Sequence, residues 1–173
     1  MMGQNRGKDF ERIIKEAFQQ VSNTSVYRLQ DTMSGYLGIA NIADYIIYHK
    51  PYQYFIECKS HYGASLSIYG TDPKRKYGNI ANTQWEGLLE MSKIDGVHAG
   101  VIVWFIDKDV TRYIPIQLLA DYRERGFKSI RYDFEEVGYQ DGDKWCPVID
   151  LDGQKKRVFF EYDMNKFFEE FEK

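Results

Sequence analysis

Apolar residues recur at helical spacing near the start of the chain. From Phe10 to Val21 they occupy positions i, i+3, i+4, i+7, i+8 and i+11, which is typical of an amphipathic helix over residues 8–21. Residues 99–106 instead form a nearly continuous apolar run, as expected of a strand that is covered on both faces. The remaining patterns predict helices over 82–94, 116–125 and 164–171, and short strands or extended segments at 26–29, 111–114, 129–132, 148–149 and 158–160.

Residues 55–59, Phe-Ile-Glu-Cys-Lys, place an acid and a lysine two positions apart. Successive side chains of a strand point to opposite faces of a sheet. Glu57 and Lys59 are therefore predicted to share one face, while Ile56 and Cys58 pack into apolar surroundings on the other. The segment predicts a strand that presents the acid and the lysine together.

A turn signal at residues 49–52, His-Lys-Pro-Tyr, lies midway between Asp44 and Glu57. A hairpin that folds there brings the two carboxylates opposite or nearly opposite each other. Such oxygens repel each other unless a cation lies between them, and they suit Mg²⁺ or Mn²⁺. Lys59 would add a positive charge beside an attacked phosphate. The group predicts metal-dependent phosphodiester hydrolysis. The alternative is that Asp44 is an acid at the start of a strand, and that Glu57 and Lys59 are a solvent-facing pair on an exposed sheet face.

The order of the predicted elements is helix, strands, helix, strand, strand, helix. This order predicts a mixed β-sheet flanked by helices, in the α/β class. With 173 residues, 43% of them hydrophobic, residues 1–173 are predicted to form a single domain around one core. Polar and glycine-rich residues at about 60–80 are predicted to form a long basic loop. Residues 133–173 carry six Lys or Arg against twelve Asp or Glu, which makes the C-terminal segment acidic.

The net charge of −3 counts against a nonspecific nucleic-acid binder when it is taken as an average. Residues 1–80, however, carry ten Lys or Arg against seven Asp or Glu, so a local cationic surface can lie beside the predicted site. The chain has no run of eighteen apolar residues and no apolar stretch at its N-terminus, which favours a cytosolic location. Cys58 and Cys146 belong to no C-x-x-C pair and are predicted to be reduced thiols.

Several segments together resemble the PD-(D/E)XK nuclease superfamily and, within it, the RecU-type Holliday junction resolvases of bacteria and their phages. The resemblance covers most of residues 5–137 and implies a restriction-endonuclease-like core. The segments that carry it are Asn5-Arg6-Gly7 at the start of a helix with Glu11, Asp44 followed by Glu57-Cys58-Lys59, Gln84 at the start of the next helix, the strand around Trp104, and residues 128–136.

The resemblance implies catalytic roles at the matching positions. Asp44 and Glu57 would bind the divalent metal, which is Mg²⁺ with Mn²⁺ as a substitute. The backbone carbonyl of Cys58 would add a metal ligand, and Lys59 would assist the attack. These four residues form the predicted catalytic centre.

Further contacts are predicted around that centre. Glu11 corresponds to an acid that approaches the metal site, and its alternative is an exposed helix acid. Gln84 resembles a glutamine that positions a phosphate or water, and its alternative is ordinary polarity at a helix start. Arg6 and Lys8 are predicted phosphate contacts, and the run Lys74-Arg75-Lys76 is a predicted clamp over DNA. For these basic residues the alternative is solvated surface charge.

The chain departs from the family pattern in two places. Ala43 stands where the superfamily's name has proline, a position that shapes a turn and holds no ligand. The interval between Val26 and Asp44 is too short for the long stalk that projects between early strands of RecU-type proteins. Either the segment at 60–80 substitutes for the stalk, or the junction is gripped differently.

Together these features predict a structure-selective endonuclease that resolves four-way DNA junctions as a homodimer. Two symmetric nicks need two active sites, which a two-fold pair of subunits supplies. The resemblance implies a location in the bacterial cytoplasm. Within the family, the chain resembles the shorter, phage-encoded kind of resolvase. One alternative is a restriction-like or repair nuclease acting on duplex or flap DNA. The other is a non-catalytic accessory of recombination that binds DNA structures.

Overall fold

Six strands form a mixed sheet in the computed structural model, which describes residues 5–30, 41–68 and 80–173. They are β1 Thr24–Arg28, β2 Tyr45–His49, β3 Tyr52–His61, β5 Val97–Phe105, β6 Val110–Pro115 and β10 Ile149–Asp150. Along the sheet they lie in the order β1-β2-β3-β5-β6-β10. β3 and β5 run parallel, and the other neighbouring pairs are antiparallel.

β5 lies between β3 and β6, and all nine of its residues are buried. A strand with helices on both sides has no solvent-facing side, so its sequence is apolar throughout rather than alternating. The prediction of a doubly covered strand at residues 99–106 is confirmed. β5 therefore provides the rigid centre against which β3, the strand of Glu57 and Lys59, is paired.

Helices pack on both faces of this sheet. They are α1 Arg6–Gln19, α2 Asn82–Ser92, α3 Ile116–Glu124 and α4 Asn165–Phe171. α1 and α4 bury their apolar residues in one core cluster, and α2 and α3 bury theirs in a second cluster on the opposite face. The predicted fold class, a mixed β-sheet flanked by helices in the α/β class, is confirmed.

α1 begins with a side-chain cap that its sequence specifies. The side chain of Asn5 accepts a hydrogen bond from the backbone N–H of Lys8, at 3.3 Å between N and Oδ1. Such a cap satisfies one of the free N–H groups at a helix start. Phe10, Ile14 and Phe18 are fully buried, at the helical spacing seen in the sequence. The helix thus begins two residues before the predicted start at residue 8.

In the part of the chain that the structure describes, three two-stranded units lie outside the main sheet. β4 Ser65–Ser67 pairs with β7 Ser129–Arg131, β8 Gly138–Asp141 with β9 Lys144–Pro147, and β11 Gly153–Lys156 with β12 Phe159–Tyr162. The prediction of a long basic loop at about 60–80 is wrong at its start, because β3 continues to His61 and β4 follows. Lys74, Arg75 and Lys76, the predicted clamp, lie outside the described residues.

Both cysteines are free, as predicted, and both are buried, although packing was predicted for Cys58 alone. None of the helices in the described part of the chain is long and apolar enough to cross a membrane.

Candidate active site

The acids predicted to meet are carried by a tight hairpin. In β2 and β3, Tyr45 pairs with Ile56 and the register ends at the pair His49 and Tyr52, which leaves a two-residue turn. The Lys50–Pro51 peptide bond in this turn is cis. The backbone N–H of Asp44, the residue just before β2, donates to the carbonyl oxygen of Ile56 at 3.0 Å. Asp44 thus lies beside the residue that precedes Glu57, and its charge acts on the Glu57 carboxyl. The hairpin therefore brings the two acids close together, as the turn signal predicted.

Glu57 is a buried carboxylate with cationic and polar partners. Its side chain is only 2% exposed. Oε1 lies 2.7 Å from Nζ of Lys59 and accepts a hydrogen bond from Nε2 of Gln84 at 2.8 Å. Oε2 is buried and has no hydrogen-bond partner among the described residues. One oxygen of the carboxylate is thus fixed, and the other is ready for a further ligand.

Burial and neighbouring charges act on the ionisation of Glu57. The pKa of its carboxyl is raised to about 7, chiefly because a charged group loses solvation in the protein interior. The charges of Asp44 and Glu11 contribute to this rise, and the ammonium group of Lys59 opposes it. Three acids therefore lie near enough to repel one another, and a cation among them would relieve that repulsion.

Asp44 is held in place by the backbone of both neighbouring strands. Its Oδ2 accepts a hydrogen bond from the backbone N–H of Cys58 at 2.7 Å. Its own backbone carbonyl accepts from the N–H of Leu29 at 2.9 Å, just after β1. These contacts fix the carboxylate toward the strand that carries Glu57.

Gln84 links the acid, the lysine and the start of α2. Besides its bond to Glu57, its Oε1 accepts from Nζ of Lys59 at 3.4 Å and from the backbone N–H of Ala81 at 3.2 Å. The same side chain therefore caps the helix and reaches the acid, whereas its role toward a phosphate or water stays a prediction.

Glu11 approaches the site from α1. Its Oε2 lies 3.3 Å from Nη2 of Arg28 in β1, and its charge contributes to the raised pKa of Glu57. Its backbone carbonyl accepts from the hydroxyl of Tyr45 at 3.0 Å, which ties α1 to β2. No sequence pattern indicated Arg28, because an arginine in a half-exposed strand has no distinguishing neighbours.

The basic residues at the start of α1 lie at the margin of this site. A methyl group added at Gly7 would lie 3.8 Å from Oγ of Ser60, the residue that follows Lys59. The guanidinium of Arg6 lies 5.6 Å from the centre of the Tyr62 ring, just beyond the end of β3. Lys8 is exposed on the first turn of the helix. The start of α1 thus lies near the end of β3, whereas the role of Arg6 and Lys8 toward phosphate is a prediction.

The donor set fits a hard divalent cation. The described residues include no group of three or more His, Cys, Asp or Glu side chains placed to hold a metal ion. Mg²⁺, however, commonly binds through one or two carboxylates together with water and substrate phosphate. Asp44 and Glu57 supply two carboxylates, and the unpartnered Oε2 of Glu57 is a buried acceptor for a cation.

Comparison with known proteins yields a structural likeness. The chain is similar to the solved structure of Hjc, a Holliday junction resolvase from the archaeal hyperthermophile Archaeoglobus fulgidus. The two share 19% sequence identity and a TM-score of 0.49, over 72% of this chain and 88% of that chain. No family model and no curated protein matches the chain.

Proposed function

We propose that this protein is a metal-dependent DNA endonuclease that resolves four-way junctions, of the kind that its sequence motifs resemble. One observation carries the proposal. Glu57 is a buried carboxyl on which the charge of Asp44 acts, it contacts Lys59 at 2.7 Å, and its Oε2 has no hydrogen-bond partner among the described residues. Burying a charged carboxylate costs free energy unless the charge is paired and hydrogen-bonded. Carboxyl groups with perturbed pKa values concentrate at functional sites.

The roles proposed for the residues follow from their contacts. Asp44, Glu57 and the backbone carbonyl of Cys58 would hold Mg²⁺, with Mn²⁺ as a substitute. The metal would polarise a phosphate oxygen and lower the pKa of the attacking water. Lys59, next to Glu57, is suited to stabilise the negative charge that develops on the phosphate. Gln84 would keep the lysine and the acid aligned through its bonds to both.

Substrate and assembly are part of the same proposal. The resemblance to RecU-type resolvases supports branched DNA as the substrate and a homodimer as the active form. In a two-fold dimer each subunit would nick one strand of the junction. Arg6 and Lys8 would contact the phosphates that flank the cleaved bond.

A nicking assay on a synthetic four-way junction tests the chemistry. In Mg²⁺ the wild-type protein is expected to nick the junction, whereas Asp44→Asn and Glu57→Gln are expected to lose at least about 10²-fold in rate, because each removes a charged metal ligand. A suitable control is Asp163→Asn at the start of α4, on the face opposite Glu57. Cleavage by either site variant at the wild-type rate would refute the assignment of the acids.

Parallel reactions on a flap and a plain duplex test the substrate. A junction resolvase is expected to prefer the junction at equal DNA concentration. Equal or faster cleavage of the duplex or flap would instead support a restriction-like or repair nuclease. Junction binding without cleavage in Mg²⁺ or Mn²⁺ would support the non-catalytic accessory.

A further inference from the structure

At Gly87, α2 lies unusually close to the segment that precedes Asp44. A methyl group added at Gly87 would lie 2.1 Å from Cγ2 and 2.4 Å from Cβ of Ile42. Both distances are far below van der Waals contact, so only glycine fits at this position as the two segments are now packed. The Cα atom of Ile42 would lie 3.5 Å away, which is ordinary contact. The overlap therefore involves only the Ile42 side chain.

Ile42 lies two residues before Asp44. The intervening Ala43 is 2% exposed and belongs to the same core cluster as the buried side chains of α2. Asp44 itself is bonded to β3 through its N–H and its Oδ2. Because the connection is short and packed, a shift of Ile42 has to be absorbed within two residues of the carboxylate.

The same helix also reaches the other acid. Gln84, three residues before Gly87, donates to Glu57 at 2.8 Å. Residues three apart in a helix lie on neighbouring positions of one face. α2 therefore contacts Glu57 through the Gln84 amide, and it contacts the segment leading to Asp44 through the bare backbone of Gly87.

From this arrangement we propose that Gly87 is a positioning residue, which sets the place of Asp44 relative to Glu57 by admitting Ile42 against α2. The inference rests on the proposed metal-dependent activity for its functional meaning. Its structural part concerns the Asp44 carboxylate alone and can be measured without metal or DNA.

The test uses the hydrogen bond from the Cys58 amide to Asp44 as its reporter. In metal-free protein, Gly87→Ala is expected to change the amide chemical shift of Cys58 and to speed its hydrogen exchange, because a displaced Asp44 no longer accepts the bond. Isothermal titration is expected to show Mn²⁺ affinity reduced by about 10- to 100-fold, the range typical when a residue that orients a metal ligand is changed.

A size exchange separates contact from general destabilisation. Ile42→Gly removes both atoms that overlap with the added methyl group, so Ile42→Gly/Gly87→Ala is expected to recover the Cys58 amide signal and Mn²⁺ affinity relative to Gly87→Ala. The matched control is Gly138→Ala in the β8–β9 hairpin, where an added methyl would lie 2.4 Å from the Trp145 ring. This control is expected to leave the Cys58 amide and Mn²⁺ binding unchanged.

Two results would overturn the proposal. One is a Gly87→Ala protein with the wild-type Cys58 amide and Mn²⁺ affinity. The other is a double variant no better than Gly87→Ala. If Gly87→Ala does not fold, the comparison of Ile42→Gly with the double variant decides. The methyl group added at position 87 replaces part of the contact that Ile42→Gly removes. Hydrogen exchange of the Cys58 amide must therefore be slower in the double variant than in Ile42→Gly. A wild-type protein that neither binds Mn²⁺ nor nicks DNA would refute the proposed function, while the metal-free amide measurements still judge the positioning.

Discussion

At the scale of single residues, Glu57 combines near-complete burial with an ionisable carboxyl group. A carboxylate that is 2% exposed loses most of its hydration, and its contact with Lys59 offsets only part of that loss. The nearby Asp44 and Glu11 oppose ionisation further. Gln84 acts in the other direction, because an amide donor favours the charged form of an acid without adding a second cation.

We expect Gln84→Met to weaken the site without unfolding the protein. Methionine has a similar length but donates no hydrogen bond, so the pKa of Glu57 should rise above its value of about 7. ¹³C NMR of the Glu57 carboxyl in metal-free protein measures this directly. Single-turnover nicking should fall by about 10- to 100-fold. Asn82→Ala is the matched control, since Asn82 bonds to Glu86 in the same helix and not to Glu57. An unchanged Glu57 pKa would contradict the role given to the amide.

The sequence predicted which acids meet, but not how they are surrounded. Strand alternation and the turn signal were enough to place Asp44, Glu57 and Lys59 together, because both are local properties of the chain. The burial of Glu57 depends on how α2 docks, which no local pattern encodes. The close approach at Gly87 left a faint signal, an isolated glycine within a helical pattern, which often has a packing reason.

At the scale of elements, α4 is fixed to the sheet by a cluster of rings around His98 of β5. The rings of Tyr52, Tyr54 and Phe171 have their centres 4.8, 5.7 and 4.4 Å from that of His98. Burial, together with the charge of Lys144, lowers the pKa of His98 from 6.5 to about 4. The imidazole is therefore neutral in the folded protein at neutral pH.

This pKa predicts acid-sensitive stability. In the unfolded chain His98 is protonated below about pH 6.5, whereas in the folded protein it stays neutral down to about pH 4. The free energy of unfolding therefore falls as the pH is lowered from 6.5 to 4. The loss attributable to His98 is at most about 3 kcal/mol. Urea unfolding of wild type and His98→Phe between pH 7 and pH 4 measures it. Parallel pH profiles for the two proteins would show that His98 does not contribute.

Regular elements were predictable where their residues repeat a strong pattern, and the small hairpins were not. α1 and β5 have sustained apolar patterns, and both were found within two residues of their starts. The β8–β9 hairpin is polar and partly exposed, although Asp141-Gly142 is a turn signal that could have indicated it. In the β11–β12 turn the left-handed residue is Arg157, with φ 54°, where a sequence pattern would expect glycine.

At the scale of the whole molecule, charge is divided between the two ends of the chain. The acidic segment 133–173 ends in α4, which packs on the sheet face opposite α2 and the Glu57 side chain. α1 packs on the same face as α4, but its first residues, which include Arg6 and Lys8, lie beside the end of β3. The net charge of −3 is therefore a poor guide to the potential near the candidate site.

We expect Arg6→Ala/Lys8→Ala to weaken junction binding and to reduce its dependence on salt. Each lost phosphate contact lowers the slope of log affinity against log salt by about 0.9, so the double variant should lose about two units of slope. Fluorescence anisotropy in EDTA, from 50 to 200 mM salt, measures binding without cleavage. Lys93→Ala/Arg157→Ala, which removes two exposed cations elsewhere, is the control. An identical slope for the two double variants would argue against a phosphate role for Arg6 and Lys8.

The short turn between β2 and β3 has a consequence for how the site is assembled. The β2–β3 hairpin pairs residues that are neighbours in the chain, whereas the parallel pairing of Glu57 with Val101 needs a crossover that includes α2. We therefore expect the two acids to meet while they are still hydrated, and to lose their water only when β5 and α2 dock. The repulsion within the site would then resist the last step of folding, and a divalent cation present at that moment would speed it.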